Sequence, residues 1–443
     1  MSKANREAKA RIKINKLLEK AGWRLLDDEH GEANIQLEPN IKITQNDLNS
    51  MGEDFESTKN GFIDYLLLDE EKFPLAILEA KKEEKNPLDG KEQARRYANN
   101  LNVRFIILSN GNLHYFWDLE TGNPEIITEF PRQESFVGRK NFKPNSEALY
   151  NEEIDEDYIA VAERPDIVKD PSWSTKKKEL SERYDLRVLR PYQLNAIKAL
   201  QNAVKEGKQR FLFEMATGTG KTLLSAALIK LFLRTGNAKR VLFLVDRLEL
   251  ENQANKNFVK YLKQNYQSVI YKENRNSWNN AEIVISTIQS LLAGNNYRKN
   301  FSPTDFDLLI SDEAHRSIGG NSRAVFEYFI GHKLGLTATP KDYLKNIDAK
   351  DLSDKDQRKW EKRVLFDTYT TFGCENSEPT FKYSLNDGVK EGYLINPLVV
   401  DARTEITTQL LSDEGYSIRI SDQNGEEDEQ IFRHKDFERK FFS

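Results

Sequence analysis

The 443-residue chain contains one cysteine, Cys374, which excludes an intrachain disulfide framework and any metal centre built from thiolates. A reducing compartment, and with it a cytoplasmic location, is the expectation. Long apolar runs are also missing. Phe73 to Leu78 and Val241 to Val245 are among the longest, far short of the roughly 20 residues that cross a bilayer as a helix. The first residues, Met1-Ser-Lys-Ala-Asn-Arg-Glu7, lead into further charge rather than an apolar segment, unlike a secretory leader. The sequence has no internal repeat and no low-complexity tract. Neither sign of charge dominates: 66 Lys+Arg against 71 Asp+Glu leave a net charge of −5. That balance neither supports nor excludes nucleic acid, because a basic groove can be offset by acidic surface elsewhere.

Packed cores are within reach, since 38% of residues are hydrophobic and 10% aromatic. Ala8 to Ala21 carries apolar residues at helical spacing and stops at Gly22. Phe62 to Leu68 and Phe73 to Ala80 read as a β-hairpin, Lys91 to Asn100 as a helix and Phe105 to Ser109 as a strand. A first domain of residues 1–147 follows from this α-β-β-α-β order. The acidic, proline-bearing stretch after it, residues 148–186, reads as a connector or peripheral helices. Beyond it, short apolar runs at 211–214, 241–245, 283–286, 308–311 and 334–337 alternate with helix-length segments, the pattern of a helix-covered parallel sheet over residues 187–375.

Glu214-Met-Ala-Thr-Gly-Thr-Gly-Lys-Thr222 follows a predicted strand and opens a predicted helix, the context of a P-loop. Thr217, Gly218, Thr219 and Gly220 would close around phosphate through backbone N–H groups. Lys221 would reach the β- and γ-phosphates of ATP, and the Thr222 hydroxyl would sit on Mg²⁺. Met215 stands where the loop's first Gly or Ala is usual. Asp312-Glu-Ala-His315 directly follows an apolar run, so its carboxylates fall at a strand's C-terminal end, where open α/β sheets bind ligands. Asp312 would hold Mg²⁺ and Glu313 would orient and deprotonate water. His315 is either a contact that relays nucleotide state or a satisfied polar turn residue.

With Arg190-Pro-Tyr-Gln193, Val245-Asp-Arg-Leu-Glu-Leu250, Ser286-Thr-Ile-Gln-Ser290 and Gly335-Leu-Thr-Ala-Thr-Pro340, these motifs stand in the order of superfamily 2 helicases and resemble their first RecA-like lobe. The resemblance implies that Gln193 reads adenine, that Arg247, Thr287 and Gln289 lie toward a nucleic-acid track, and that Thr337 to Thr339 couple nucleotide state to DNA.

In the first domain, Asp64 lies in one hairpin strand and Glu79-Ala-Lys81 closes the other. Alternation puts Glu79 and Lys81 on one face, and pairing can bring Asp64 beside them. Two carboxylates and an ammonium suit Mg²⁺-dependent phosphodiester hydrolysis, and all three interrupt apolar runs, where a buried charge needs a reason. Gln93 and Tyr97 share a helix face shortly after. Together with Ala21-Gly-Trp23, Ser109-Asn-Gly111 and Phe116-Trp-Asp118, these residues resemble the PD-(D/E)xK nuclease domain with its Gln-x-x-x-Tyr extension, as in the restriction (R, HsdR) subunit of type I restriction-modification enzymes.

That resemblance implies an α/β chain: an αβββαβ-type nuclease domain followed by a RecA-like parallel-sheet P-loop domain. It implies Asp64 and Glu79 as metal ligands, Lys81, Gln93 and Tyr97 as their catalytic companions, and Glu7 as a candidate additional acid. The partners it implies are double-stranded DNA and the methylation (M) and specificity (S) subunits. Ile63 replaces the proline that often precedes the Asp. Residues 376–443 are expected to open a second motor lobe that stays incomplete, since no Gln-x-x-Gly-Arg-x-x-Arg sequence follows Pro340; poor ATP turnover by the chain alone is expected. Two alternatives stand beside this reading: another antiphage or repair helicase-nuclease, and a catalytically silent ATP- and DNA-binding remnant.

Overall fold

The computed structural model describes residues 3–29, 31–37, 40–41, 61–62, 64–273, 278–317, 319, 321–342, 367–396, 416–421 and 427–432. Ile63 lies outside them, as does the side chain of Glu7. Residues Met1–Leu394 form one compact unit and Ile395–Ser443 a second.

The chain begins with helix α1 (Lys3–Lys20), followed by strands β1 (Ile35–Leu37), β2 (Tyr65–Leu68) and β3 (Pro74–Ala80), helix α2 (Lys91–Asn100), then β4 (Phe105–Ser109), β5 (His114–Asp118) and β6 (Glu125–Ile127). The six strands lie in chain order across one sheet. Only β3 and β4 run parallel, because α2 carries the chain back between them. Both faces of the sheet are apolar. Tyr65, Leu67, Leu78, Phe105 and Ile107 pack with Ile14 and Leu18 of α1. Leu66, Ile77, Ile106 and Leu108 pack with Ala94, Tyr97 and Ala98 of α2. The αβββαβ order is therefore present, extended by β5 and β6.

The second sheet has seven strands: β7 (Arg210–Met215), β8 (Val241–Val245), β9 (Ser268–Ile270), β10 (Ile283–Thr287), β11 (Leu308–Asp312), β12 (His332–Thr337) and β13 (Phe381–Tyr383), in the order β9-β10-β8-β11-β12-β7-β13. All neighbours are parallel. Helices α4 (Pro191–Lys205), α5 (Lys221–Arg234) and α6 (Leu248–Leu262) precede or link its strands. Alternation feeds two cores: Phe211, Phe213, Phe243, Ile285 and Ile310 face one side, and Leu212, Leu242, Val284 and Leu309 the other. This is the RecA-like parallel sheet read from the sequence.

Two expected boundaries shift. The segment read as a connector is built into the lobe, for Leu149, Tyr158 and Ile159 join its core and Lys230 donates to the Tyr158 carbonyl at 2.6 Å. The boundary expected at 376 falls inside the lobe, because β13 adds to the edge of β7 and the helical turn Leu385–Lys390 follows it. In the second unit the described residues form one antiparallel hairpin, β14 (Tyr416–Ser421) with β15 (Glu427–Phe432).

Within the first unit the nuclease-like sheet and the lobe are joined by polar contacts from α3 (Gln133–Lys140). Arg139 pairs with Asp307 at 2.9 Å, and Ser135 donates to Asp305 at 2.8 Å. Asp307 also accepts from the backbone N–H of Lys239 at 2.8 Å, so one carboxylate ties α3 to the loop that starts β8.

Candidate functional site

Tyr65 pairs with Leu78 in the β2–β3 register, and one further step sets Asp64 opposite Glu79. The structure holds Asp64 in the bend just before β2. Its Oδ2 accepts from the Ala80 backbone N–H at 2.7 Å and its Oδ1 from the Arg11 guanidinium at 2.6 Å. Glu79 is 3% exposed. Lys81 Nζ lies 2.8 Å from Glu79 Oε1 and 3.5 Å from Gln93 Oε1, and Gln93 Nε2 donates to the Tyr97 hydroxyl at 3.2 Å. Sheet alternation explains this chain: Ile77, Glu79 and Lys81 point to the α2 face, where Gln93 and Tyr97 stand one turn apart.

Burial pushes the Glu79 carboxyl up to about 7 against the pull of Lys81, and Asp64 raises it further. Burial also raises Tyr97. Glu79 Oε2 is buried and lacks a hydrogen-bond partner. An orphaned carboxylate oxygen beside a second carboxylate is a donor set suited to a hard divalent cation such as Mg²⁺. Among the described residues no group of three or more His, Cys, Asp or Glu could hold a metal. A cation here would complete its shell with water, backbone or phosphate oxygen, as Mg²⁺ commonly does.

A stability consequence follows from the raised carboxyl. Between its ordinary value of 4.5 and about 7, the folded chain holds a proton at Glu79 that the unfolded chain has released. Metal-free stability therefore falls as pH rises through that window, by something on the order of 3 kcal/mol, and levels off above it. Denaturant midpoints of metal-free protein at pH 5 and pH 8 should show this decline, and Glu79→Gln should remove most of it.

Gly90, just before α2, was not singled out by the sequence. A Cβ there would meet Lys81 Cε at 2.6 Å and Glu79 Cγ at 2.9 Å. Lys81 can swing away, but Glu79 is only 3% exposed and has little room to give, so Gly90→Ala should also lower the melting temperature. Displacing the Glu79–Lys81 pair by even an ångström should lower cleavage about 10²-fold, measured as initial nicking rates. Arg11 was missed as well, and only its position one helical turn beyond Glu7 hinted at it.

In the lobe, Gly218 and Gly220 have φ of +84° and +77°, left-handed values that glycine adopts without cost. Lys221 opens α5 and reaches back to the Met215 carbonyl at 3.4 Å and to Glu313 at 3.6 Å. Met215 is fully buried at the end of β7, so its side chain does not crowd the loop. Thr217 is exposed and Thr222 half-buried, while the Thr219 hydroxyl is turned inward onto the Ala216 carbonyl at 2.7 Å. Gln193 is buried. Its Oε1 accepts from Arg190 N–H at 2.9 Å, and its Nε2 donates to the Thr219 and Gly220 carbonyls at 3.1 and 3.2 Å. Tyr192, which the sequence did not distinguish, donates to the Thr219 carbonyl at 2.8 Å and stacks on Tyr383.

Asp312 ends β11, and burial raises its carboxyl against the pull of Lys221. Glu313 has φ of +53°, a strained backbone for a residue with a Cβ and a common mark of functional positions. His315 Nδ1 lies 2.8 Å from Thr337 Oγ1 and 3.5 Å from Glu313 Oε2, and the Thr339 N–H donates to Thr337 Oγ1 at 3.1 Å. The imidazole thus links the turn that follows β11 to β12, and burial lowers its pKa.

Of the residues expected along a nucleic-acid track, Arg247 and Gln289 are exposed. Thr287 departs from the expectation. It is 2% exposed, its hydroxyl caps the helical turn Ile288–Leu292, and its N–H donates to buried Glu251 at 2.6 Å. Capping that turn draws the side chain inward, so Thr287 shapes the loop rather than presenting a surface.

No helix among the described residues is long and apolar enough to cross a membrane. A family model for the type I restriction enzyme R protein N terminus matches residues 29–131, which contain the Asp64 cluster. A model for the res subunit of type III restriction enzymes matches residues 187–342, which contain the P-loop and Asp312. The EcoAI endonuclease subunit, a type I restriction enzyme protein of Escherichia coli, is 30% identical over 387 residues, 85% of this chain and 42% of that protein. The EcoKI endonuclease subunit of E. coli K12 is 28% identical over 285 residues, 57% of this chain and 22% of that one. A solved fragment assigned to an HsdR subunit from Vibrio vulnificus YJ016 aligns at 25% identity over 87% of this chain and 61% of its own, with a TM-score of 0.32, too low to bear on the fold. The chain spans less than half the length of these curated relatives. Two restriction-enzyme family models fall on its two clusters and a restriction-enzyme relative aligns across both, so the chain is similar along most of its length to type I restriction enzyme R (HsdR) subunits.

Proposed function

We propose that this chain is the restriction subunit of a type I restriction-modification system, coupling ATP-dependent DNA translocation to Mg²⁺-dependent cleavage of double-stranded DNA. It would act in the cytoplasm with methylation and specificity subunits. Residues 1–147 would be the nuclease domain and 148–394 the first motor lobe. The observation that carries this reading is the Asp64–Glu79–Lys81 cluster, with its orphaned buried Glu79 oxygen, in one compact unit with a P-loop.

In the nuclease domain Asp64 and Glu79 would hold Mg²⁺, which supplies polarisation of the scissile phosphate and acidification of a water. Lys81 positions that water with its ammonium or, once it has released its own proton to solvent, takes the water's proton at Nζ. Gln93 steadies Lys81, and Tyr97 steadies Gln93. In the motor lobe the backbone N–H groups of residues 217–222 and the Lys221 ammonium bind the phosphates of ATP. Thr222 and Asp312 would hold its Mg²⁺, and Glu313 orients and deprotonates the attacking water. The Lys221–Glu313 pair at 3.6 Å would open when phosphate draws Lys221 away and leaves Glu313 to the water. Gln193 supports the loop from beneath, Arg247 and Gln289 face DNA, and His315 links Glu313 to Thr337.

The test is a plasmid assay on the chain assembled with its methylation and specificity subunits. Double-strand cleavage that requires both ATP and Mg²⁺ is expected; an assembled complex that cuts unmodified plasmid without ATP, or not at all, would contradict the proposal.

A further inference from the structure

Arg11 has no step in the mechanism above, yet it holds one of the nuclease carboxylates. Its guanidinium lies 2.6 Å from Asp64 Oδ1, while Ala80 N–H takes Asp64 Oδ2 at 2.7 Å. A divalent cation at Asp64 would therefore meet a carboxylate whose two oxygens both accept hydrogen bonds, and a positive charge already in contact with it. The Ala80 bond is backbone and fixed by the sheet. The Arg11 bond is the one that can be exchanged.

The surroundings of α1 favour such an exchange. The helix itself is pinned on either side of Arg11. Ala10 lies against the Ser109-Asn-Gly111 loop, where a Cβ on Gly111 would meet the Ala10 carbonyl at 3.2 Å. One turn on, Asn15 accepts from the Tyr65 hydroxyl at 2.8 Å, and between them Lys13 donates to Asn112 at 2.7 Å. The backbone is thus held while the Arg11 side chain remains 31% exposed. A guanidinium binds carboxylate and phosphate with the same planar fork, so a DNA phosphate arriving at the site is a ready alternative partner.

We infer that Arg11 is an exchangeable cation that pairs with Asp64 before metal arrives and passes to a phosphate of bound DNA when metal takes Asp64, so that metal and DNA load cooperatively. This rests on the nuclease reading of Asp64, Glu79 and Lys81. Arg11 is on this view a positioning residue. Because such coupling is reciprocal, DNA tightens metal binding by the same factor that metal tightens DNA binding.

The experiment is a Mn²⁺ titration followed by electron paramagnetic resonance, on the full chain with a short phosphorothioate duplex that resists cleavage while keeping its charge. Asp64→Ala assigns the signal to this site. Arg11→Gln should bind Mn²⁺ about tenfold more tightly than its parent without DNA, and adding duplex should tighten it distinctly less than the parent. Arg11→Lys keeps the charge without the fork and should show part of that loss of coupling; it carries the comparison if Arg11→Gln does not fold. Unchanged or weaker Mn²⁺ binding in Arg11→Gln, or the same tightening by duplex as in the parent, would overturn the exchange while leaving the nuclease reading intact. Mn²⁺ binding undiminished in Asp64→Ala would overturn both.

Discussion

Lys81→Ala is expected to lower DNA cleavage by about 10²–10⁴, the range for removing a group that positions or accepts a proton, with ATP hydrolysis in the assembled enzyme left near wild type. The lysine touches Glu79 at 2.8 Å and Gln93 at 3.5 Å, both within the nuclease cluster. The fold should survive its loss. Glu79 is already raised to about 7 by burial, with Lys81 the main influence lowering it. Without the ammonium the carboxyl simply keeps its proton and avoids becoming an unpaired buried charge, which would be far costlier. Cleavage would then suffer twice, from the lost lysine and from a protonated metal ligand, and part of the loss should return at higher pH. Initial nicking rates at pH 7 and pH 9, beside phosphate release, check both statements.

The second large effect is expected at the other centre. Lys221→Ala should reduce ATP hydrolysis by about 10²–10³, the usual consequence of deleting one preorganised positive group facing the transferred phosphoryl. ATP-dependent cleavage should fall with it. The structural cost is small, because among the described residues the Lys221 ammonium has just the 3.4 Å contact to the Met215 carbonyl and the 3.6 Å pair with Glu313 as direct partners. Glu313 is 30% exposed and can turn to water when its partner is gone. Unlike Lys81→Ala, this variant leaves the Asp64–Glu79 pair untouched, so its Mn²⁺ binding at the nuclease site should match wild type.

What the sequence could and could not reveal divides by the range of the contacts involved. Helix Lys91–Asn100 and strand Phe105–Ser109 were legible to the residue, because hydrophobic spacing and helix-forming composition are local. Strands β7, β8, β10, β11 and β12 were legible as apolar runs, since a sheet covered on both faces leaves little polar alternation to confuse them, whereas the three-residue β9 was not read. The faces shared by Glu79 with Lys81, and by Gln93 with Tyr97, came from simple periodicity.

Contacts that depend on distant chain were not legible. Arg11 reaches Asp64 across 53 positions, and Tyr192 reaches the Thr219 carbonyl across 27. Thr287 looked like a surface residue in its motif, but a hydroxyl at a helix start also caps, and here the cap prevails. The acidic stretch after residue 148 reads as a linker by composition, yet Tyr158 and Ile159 supply enough apolar surface to join the lobe core. Strand β13 is three residues long, too short for any period to announce it.

The central claim is that one chain carries two separable phosphate chemistries, a metal-dependent nuclease at Asp64, Glu79 and Lys81 and an ATP-driven motor at the P-loop. The most direct test measures plasmid cleavage and phosphate release in the same reaction, with the assembled enzyme carrying wild-type or Lys81→Ala chain. The account predicts sustained DNA-stimulated phosphate release with cleavage lost in Lys81→Ala. Cleavage retained in that variant, or both activities lost together from a protein that still melts like wild type, would contradict it.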